Sequence, residues 1–146
     1  MCSLRERVLD GREVITETWE LVGKDYDVLA TILDAPERFS ATSLVVWTYG
    51  LIGVPLADDL LALHAAGERI IGSELAAGDL VFRTGRRDRY HQGNTSHGVG
   101  HVGLYAGGGA VLHASYWGGV VSANPIEWFL TMEDGRFRGV RRIIAR

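Results

Sequence analysis

The sequence has almost no cysteine, no long apolar run and no excess of positive charge. Its one cysteine, Cys2, excludes an internal disulfide and any zinc site built from cysteines. The formal net charge of −3 gives no basic patch on which to argue nucleic-acid binding. No apolar run approaches the roughly 20 residues of a membrane-spanning helix. We therefore expect a globular protein that neither binds nucleic acid nor crosses a membrane.

The N-terminal residues, Met1 to Arg7, lack the basic and then apolar pattern of a signal peptide. We expect either a cytoplasmic protein or an exported one whose signal is not part of this chain. A content of 47% hydrophobic and 23% charged residues argues against disorder. The 146 residues are enough for one domain with its own core and too few for two. We expect a single domain over residues 1–146.

Helical patterns occupy the first half of the sequence and strand patterns the second. Helices are predicted over residues 3–22, which Asp10-Gly11 could break into two, from a Ser40 cap to about Tyr49, and over 57–66. The predicted strands cover residues 80–83, 101–106, 110–115, 119–122 and 137–144, with a short helix or turn over 125–132. This order indicates an α+β domain with helices packed on one antiparallel β-sheet.

The segment from Phe39 to Trp47 begins a buried helix in an unusual way. Four small residues, three of them hydroxylated, separate Phe39 from the apolar run that starts at Leu44. Position 41 falls in the first turn, where backbone N–H groups and the helix dipole suit an anion or a thiolate. The residue there is Ala41, whose side chain is neither.

Four short blocks follow one another along the chain. They are Phe39-Ser40-Ala41-Thr42-Ser43-Leu44-Val45, Gly78-Asp79-Leu80-Val81-Phe82, His101-Val102-Gly103-Leu104-Tyr105 and His113-Ala114-Ser115. In this order, and over about residues 25–144, the sequence resembles the NlpC-type cell-wall cysteine peptidases, which have a papain-like fold. The resemblance places Ala41 where that family has its catalytic cysteine.

The resemblance implies hydrolysis of an amide bond in bacterial cell-wall peptides, after D-glutamate and before a diamino acid, without metal or organic cofactor. It gives His101 the role of base for a thiol and His113 the role of orienting group. Ala41 is either an engineered replacement of cysteine or natural, and the retained histidine pair favours replacement. A natural Ala41 would make the chain a pseudoenzyme that binds peptides.

The turn between the two histidine-bearing strands provides a geometric argument from the sequence alone. Gly107-Gly108-Gly109 supplies the positive φ angles of a tight turn. If all three glycines form the loop, Ala106 lies opposite Ala110, and His101 and His113 share one face within reach of each other. A two-residue loop would put the histidines on opposite faces. The apolar residues of both strands then gather on the other face, which favours the three-residue loop.

Three residues near position 41 are candidates for substrate binding. Ser40 and Thr42 flank it in the sequence. Tyr26 is the candidate for a substrate-facing tyrosine that the family places upstream of the cysteine, and a tyrosine that only packs is the alternative.

The polar segment 84–100 is long for a loop, and long ordered loops are often functional. Its arginines, including Arg86 and Arg87, are candidates to pair with substrate carboxylates. The alternative is a solvated, mobile loop with an exposed charge cluster.

A metal enzyme is the other class of chemistry that the sequence allows. His91, His97, His101 and His113 could supply nitrogen ligands to zinc. No cysteine pair or Glu-x-x-His pattern accompanies them, so we expect no bound metal.

Overall fold

The structure, a computed structural model, describes residues 10–94, 96–130 and 137–143. The α-helices of this part are α1 (Gly11–Trp19), α2 (Ala41–Leu51), α3 (Leu60–His64) and α4 (Ile126–Leu130). Its strands are β1 (Asp25–Tyr26), β2 (Arg38–Phe39), β3 (Glu68–Ile70), β4 (Leu80–Arg83), β5 (His101–Gly107), β6 (Ala110–Ala114), β7 (Val121–Pro125) and β8 (Phe137–Arg142). None of the described helices is long and apolar enough to cross a membrane.

A six-stranded sheet in the order β3-β8-β4-β5-β6-β7 forms the centre of the molecule. Every neighbouring pair in it is antiparallel. The two short strands β1 and β2 pair in parallel outside this sheet. The predicted α+β architecture, with helices packed on one antiparallel sheet, is confirmed.

Helices cover both faces of the sheet. Val14 of α1, Tyr49 of α2 and Leu63 of α3 belong to one buried cluster with side chains of β4, β5 and β6. Phe129 and Ile126 of α4 belong to a second cluster on the opposite face. All four residues of β4 are therefore buried, which accounts for its continuous rather than alternating apolar pattern.

Helix α2 begins at the predicted cap. The Ser40 hydroxyl accepts from the Ser43 backbone N–H at 3.1 Å, and the Ser43 hydroxyl accepts from the Ser40 N–H at 2.9 Å. This reciprocal capping box satisfies two backbone donors that the start of a helix leaves unpaired. The helix continues two residues beyond the predicted end, to Leu51. Two of the three hydroxylated residues of the segment therefore serve to start the helix.

The predicted three-residue loop between β5 and β6 is wrong. Tyr105 pairs with Val111, but the next pair along the strands is Gly107 with Ala110, and the register shifts between Tyr105 and Gly107. A β-bulge at Ala106 thus accompanies a two-residue turn. One extra residue restores the alternation of the strands. The histidines consequently share a face, as predicted, although Ala106 does not pair with Ala110.

Helices α1 and α3 are shorter than their predicted spans. Helix α1 starts at Gly11, capped by the carboxylate of Asp10, and residues 3–9 of the predicted helix lie outside the described residues. Helix α3 starts only after Asp59, whose carboxylate accepts from the Ala62 N–H at 2.9 Å. In both cases an aspartate side chain fixes the first turn, a signal that apolar periodicity alone does not contain.

The last strands also differ from their predicted bounds. Strand β7 begins at Val121 because Gly119, with a φ of 76°, lies in the turn before it. Pro125 is the last residue of this strand, and the short helix predicted from residue 125 begins one residue later, at Ile126. Strand β8 ends at Arg142. Residues 131–132 of the predicted helix and Ile144 of the predicted last strand lie outside the described residues.

The Gly78-Asp79 part of the second sequence block is structural. Asp79 is 2% exposed and forms a two-pronged ion pair with Arg142, with both N–O distances 2.8 Å. The pair ties the start of β4 to the end of β8. On the other side of the turn, the Tyr49 hydroxyl donates to the Gly78 carbonyl oxygen at 2.6 Å.

We expect Tyr49→Phe to lower the free energy of unfolding by about 1–3 kcal/mol, because it leaves a buried carbonyl oxygen without its donor. Chemical denaturation followed by circular dichroism measures this change. Tyr90→Phe is the matched control, since Tyr90 is 48% exposed, and its effect should stay within about 0.5 kcal/mol. Equal effects of the two substitutions would show that the Tyr49 hydrogen bond contributes nothing specific.

Candidate active site

Three adjacent strands carry a chain of hydrogen-bonded side chains. His101 Nε2 on β5 lies 2.7 Å from His113 Nδ1 on β6. His113 Nε2 in turn lies 2.6 Å from Asn124 Oδ1 on β7. Because His113 pairs with Ser122, Asn124 is its diagonal neighbour on the same face. The predicted contact between the two histidines is confirmed, and Asn124 extends it by one residue.

Aromatic rings from α4 and the β6–β7 turn enclose both imidazoles. The ring of Phe129 stacks on that of His101 with centroids 5.7 Å apart and lies 5.2 Å from that of His113. The Trp128 ring lies 5.2 Å from His113, and the Trp117 ring 5.4 Å from His101. His101 and His113 are only 4% and 1% exposed. This packing leaves the two rings little freedom to turn away from each other.

Gly103 makes room for this enclosure. A β-carbon at this position would lie 2.6 Å from a Val111 methyl carbon, 3.0 Å from the Phe129 ring and 3.1 Å from the His113 β-carbon. Any larger residue would have to push at least one of these groups aside. The glycine of the His-Val-Gly block is thus required by the close packing around the histidine pair.

A buried cation lies beside the histidines. Arg83, the last residue of β4, is 4% exposed, and its guanidinium carbon lies 3.8 Å from the Trp128 ring centroid. It also donates to the Trp128 carbonyl oxygen at 3.1 Å. A positive charge held here disfavours a second positive charge on either imidazole.

Both histidines are held in the neutral form. Burial lowers the pKa of His101 well below its usual value, and His113 and Arg83 lower it further. Burial also lowers the pKa of His113 to about 4, against the opposing effect of its hydrogen bond to Asn124 Oδ1. Each ring therefore has one N–H and one lone pair at neutral pH, which a general base requires.

A groove of about 700 Å³ lies where β5 and α2 begin. Ala41 and His101 both line it, together with Tyr26, Ser40 and Thr42. His113 lies behind His101 and reaches the groove only through that ring. The groove thus joins the first turn of a helix to a neutral imidazole.

The β1–β2 pair places Tyr26 beside the start of α2. Tyr26 lies opposite Phe39, and the Asp27 N–H donates to the Phe39 carbonyl oxygen at 3.0 Å. These strands have two residues each, too few for a sequence pattern to reveal. Burial raises the pKa of Tyr26, so its hydroxyl keeps its proton.

The predicted loop of residues 84–100 is held by hydrogen bonds. Arg89 and Val99 exchange two backbone hydrogen bonds of 2.8 Å, and the Gly85 N–H donates to the Asp88 carboxylate at 2.8 Å. Arg86 and Arg87 both line the groove, and the Arg86 guanidinium carbon lies 3.7 Å from the Tyr116 ring centroid. The described part of the loop is thus an ordered wall of the groove.

The NlpC/P60 family model matches residues 33–133, which is more than half of the chain. The chain belongs to the NlpC/P60 family. A probable endopeptidase of Corynebacterium glutamicum is 30% identical over 104 residues, covering 71% of this chain and 43% of that protein. The bifunctional muramidase/DL-endopeptidase CwlT of Bacillus subtilis is 31% identical over 77 residues, covering 53% of this chain and 21% of that protein. The chain spans less than half the length of these relatives.

Solved structures of NlpC/P60 proteins share the fold. The peptidoglycan hydrolase RipB of Mycobacterium tuberculosis superposes with a TM-score of 0.72 at 23% identity, covering 93% of this chain and 65% of that one. The papain-like fold implied by the four sequence blocks is therefore confirmed.

His91 and His97, two of the four histidines considered as metal ligands, contact other residues and not the histidine pair. His91 Nε2 lies 2.8 Å from His64 Nδ1, and His97 Nδ1 lies 2.9 Å from the Ser96 hydroxyl. Across residues 10–94, 96–130 and 137–143, no three histidine, cysteine, aspartate or glutamate side chains are placed to hold a metal ion. The described part of the chain thus contains no set of ligands for the zinc site considered above.

Several groove and site residues could not be found from the sequence. Asp58 and Asp59 line the groove, and Trp117 lines it next to the His101 ring. Asn124 lies at hydrogen-bond distance from His113, and Arg83 pairs with His101 across the sheet, although neither belongs to any of the four blocks. Only the strand register and the packing of α4 bring these residues to the site.

Protonation of the histidines should destabilise the fold. The unfolded chain binds protons at histidine below about pH 6.5, whereas folded His113 does so only near its pKa of about 4. The unfolded state therefore binds more protons in this window. We expect the free energy of unfolding to fall as pH decreases from 6.5 through about 4, by about 3 kcal/mol from His113 alone.

Denaturation at a series of pH values measures this dependence. His113→Gln should lower stability at pH 7 and flatten the curve between pH 6.5 and 4. His97→Gln is the matched control, because that side chain is exposed, and it should leave the curve unchanged. An equally steep curve in His113→Gln would show that His113 is not the source of the dependence.

Proposed function

We propose that the groove binds bacterial cell-wall peptides and that the fold is that of a peptidoglycan hydrolase whose cleavage step requires a thiol at position 41. The observation that carries this proposal is the hydrogen-bonded pair of His101 and His113, since His101 lines the same groove as Ala41. The relatives of this chain named as endopeptidases support it.

The chemistry with cysteine at position 41 is that of a thiol peptidase. The ring nitrogen of His101 that is not bonded to His113 takes the thiol proton, and the thiolate attacks the amide carbon. The C–N bond then breaks, and the amine leaves with the proton from His101. Water, deprotonated by the same imidazole, hydrolyses the thioester and releases the carboxylate.

The start of α2 supplies donors for the oxyanion that forms during this attack. The Ser43 and Leu44 N–H groups are engaged by Ser40 within the first turn. We assign the oxyanion contacts to the preceding N–H groups, those of Ala41 and Thr42. The helix dipole adds to this stabilisation.

The present chain has no substitute nucleophile at this place. The Ser40 and Ser43 hydroxyls bond each other's backbone N–H groups, and the Thr42 hydroxyl lies 3.4 Å from that of Ser40. Neighbouring helix residues also project about 100° away from position 41. We therefore expect the Ala41 protein to bind its peptide without cutting it. If Ala41 is natural, this binding is itself the function, and the native gene sequence at codon 41 decides between the two cases.

The charges of the groove fit the peptide class. Arg86 and Arg87 line the groove with cations suited to carboxylates, and Asp58 and Asp59 line it with carboxylates suited to an amine. A peptide with a D-glutamyl residue followed by a diamino acid carries both kinds of group. We propose cleavage at the bond between these two residues.

We expect Ala41→Cys to create hydrolysis of cell-wall peptides, measured by chromatography of the products. The new thiol lies at a helix N-terminus beside an imidazole, so its pKa should fall below the roughly 8.5 of a free cysteine. Iodoacetamide should alkylate it faster than Cys2. Ala41→Ser is the matched control and should remain without activity, since a hydroxyl is a much weaker nucleophile at neutral pH.

Adding His101→Ala to the Ala41→Cys variant should lower kcat by about 10²–10⁴-fold. Failure to cleave any peptidoglycan fragment, with the new thiol reacting like a free cysteine, would leave only the binding function. Cleavage by the Ala41 protein itself would contradict the proposed mechanism.

We expect Arg86→Gln to weaken binding of a D-glutamyl-diamino acid peptide to the Ala41 protein by about 10–100-fold, as loss of a charge-assisted hydrogen bond does. Isothermal titration calorimetry measures the Kd. Arg12→Gln is the control, because Arg12 lies outside the groove and pairs with Asp10. Unchanged affinity in Arg86→Gln would remove Arg86 from the substrate contacts.

A further inference from the structure

The hydrogen bonds of the site end at Asn124, a residue that none of the sequence blocks contains. Its amide oxygen lies 2.6 Å from His113 Nε2. An amide oxygen accepts hydrogen bonds and never donates them. The contact is therefore a hydrogen bond only if His113 Nε2 has the proton.

The protonated nitrogen of His113 in turn determines which nitrogen of His101 is protonated. A neutral imidazole has one N–H, so a proton on His113 Nε2 leaves a lone pair on its Nδ1. His101 Nε2, 2.7 Å away, must then be the donor of the next hydrogen bond. The other nitrogen of His101, Nδ1, is consequently left with a lone pair.

The opposite arrangement would be equally well bonded between the two histidines. In that arrangement His113 Nδ1 donates to His101 Nε2, and His101 Nδ1 has a proton and cannot act as a base. The histidine pair alone does not choose between the two arrangements, and burial and Arg83 keep both rings neutral in either case. Asn124, which bonds the other nitrogen of His113, determines which arrangement forms.

We propose that Asn124 is a positioning residue, which fixes both histidines in the Nε2–H tautomer and so leaves His101 Nδ1 as the base. Its relevance to catalysis rests on the proposed function. The tautomers themselves can be measured in the Ala41 protein without any substrate, so the two hypotheses fail separately.

Long-range ¹H–¹⁵N correlation spectra of the ¹⁵N-histidine-labelled protein identify which ring nitrogens are protonated. We expect His101 and His113 to be Nε2–H tautomers at pH 7. Asn124→Asp should give the same tautomers, because a carboxylate only accepts, and it should raise the pKa of His113. Asn124→Leu, which removes the acceptor at similar size, should give both tautomers of His101 or the Nδ1–H form.

Ser122→Ala is the matched control on the same strand, since the Ser122 hydroxyl donates to the Val120 carbonyl oxygen and not to the histidines. Its spectrum should match that of the unmodified protein. An Nδ1–H tautomer of His101 in the unmodified protein would overturn the proposal, and so would a pure Nε2–H tautomer in Asn124→Leu. If Asn124→Leu does not fold, comparing the unmodified protein with Asn124→Asp still tests the proposal. A carboxylate can only accept a hydrogen bond, so an Asn124 amide that donated from its nitrogen would give the unmodified protein different histidine tautomers from those of Asn124→Asp.

The effect of the Asn124 substitutions on kcat and KM is measured in the Ala41→Cys protein. If Asn124→Leu leaves about a tenth of His101 in the competent tautomer, kcat should fall about tenfold with little change in KM, since only that fraction can react. Asn124→Asp should retain most of the activity and move the acidic limb of the kcat–pH profile. A kcat unchanged in Asn124→Leu, with the tautomers altered, would show that the tautomer does not limit the reaction.

Discussion

The hydrogen bond between His101 and His113 depends on the register of β5 and β6, and the rest of the site is arranged around it. The bulge at Ala106 brings both residues to one face in spite of a two-residue turn. Gly103 leaves the space for Phe129 to pack over both rings. The backbone geometry of β5 and β6 thus sets the positions of the two histidines, and the side chains packed around them hold the rings in place.

The electrostatics of the site favour an uncharged imidazole pair. Burial removes the histidines from water, and a buried guanidinium lies close to them. A neutral base accepts a proton from a thiol only if the ion pair that results is stabilised. In the proposed mechanism, the first turn of α2 provides that stabilisation through its N–H groups and dipole. The proposed mechanism thus accounts for the presence of His101 and the start of α2 in one groove.

Much of this arrangement could be predicted from the sequence, because it depends on local chemistry or on ordered blocks. The Ser40 cap, strand β4 and the shared face of the histidines followed from local patterns, and the papain-like fold followed from the resemblance. The parts that could not be predicted depend on contacts between distant segments. Asn124, Trp128 and Arg83 reach the histidines only through tertiary packing. The β-bulge is a further case, since three glycines in a row are compatible with more than one turn.

The central claim is that position 41 and His101 act on the same bond of a bound peptide. A crystal structure of the Ala41 protein with an intact D-glutamyl-diamino acid peptide tests it most directly. The account predicts that the carbonyl carbon of the D-glutamyl bond lies over the Ala41 β-carbon. It also predicts that the carbonyl oxygen points to the first turn of α2 and that the amide nitrogen faces His101. A peptide bound elsewhere, or bound in the groove with this bond away from position 41, would contradict the account.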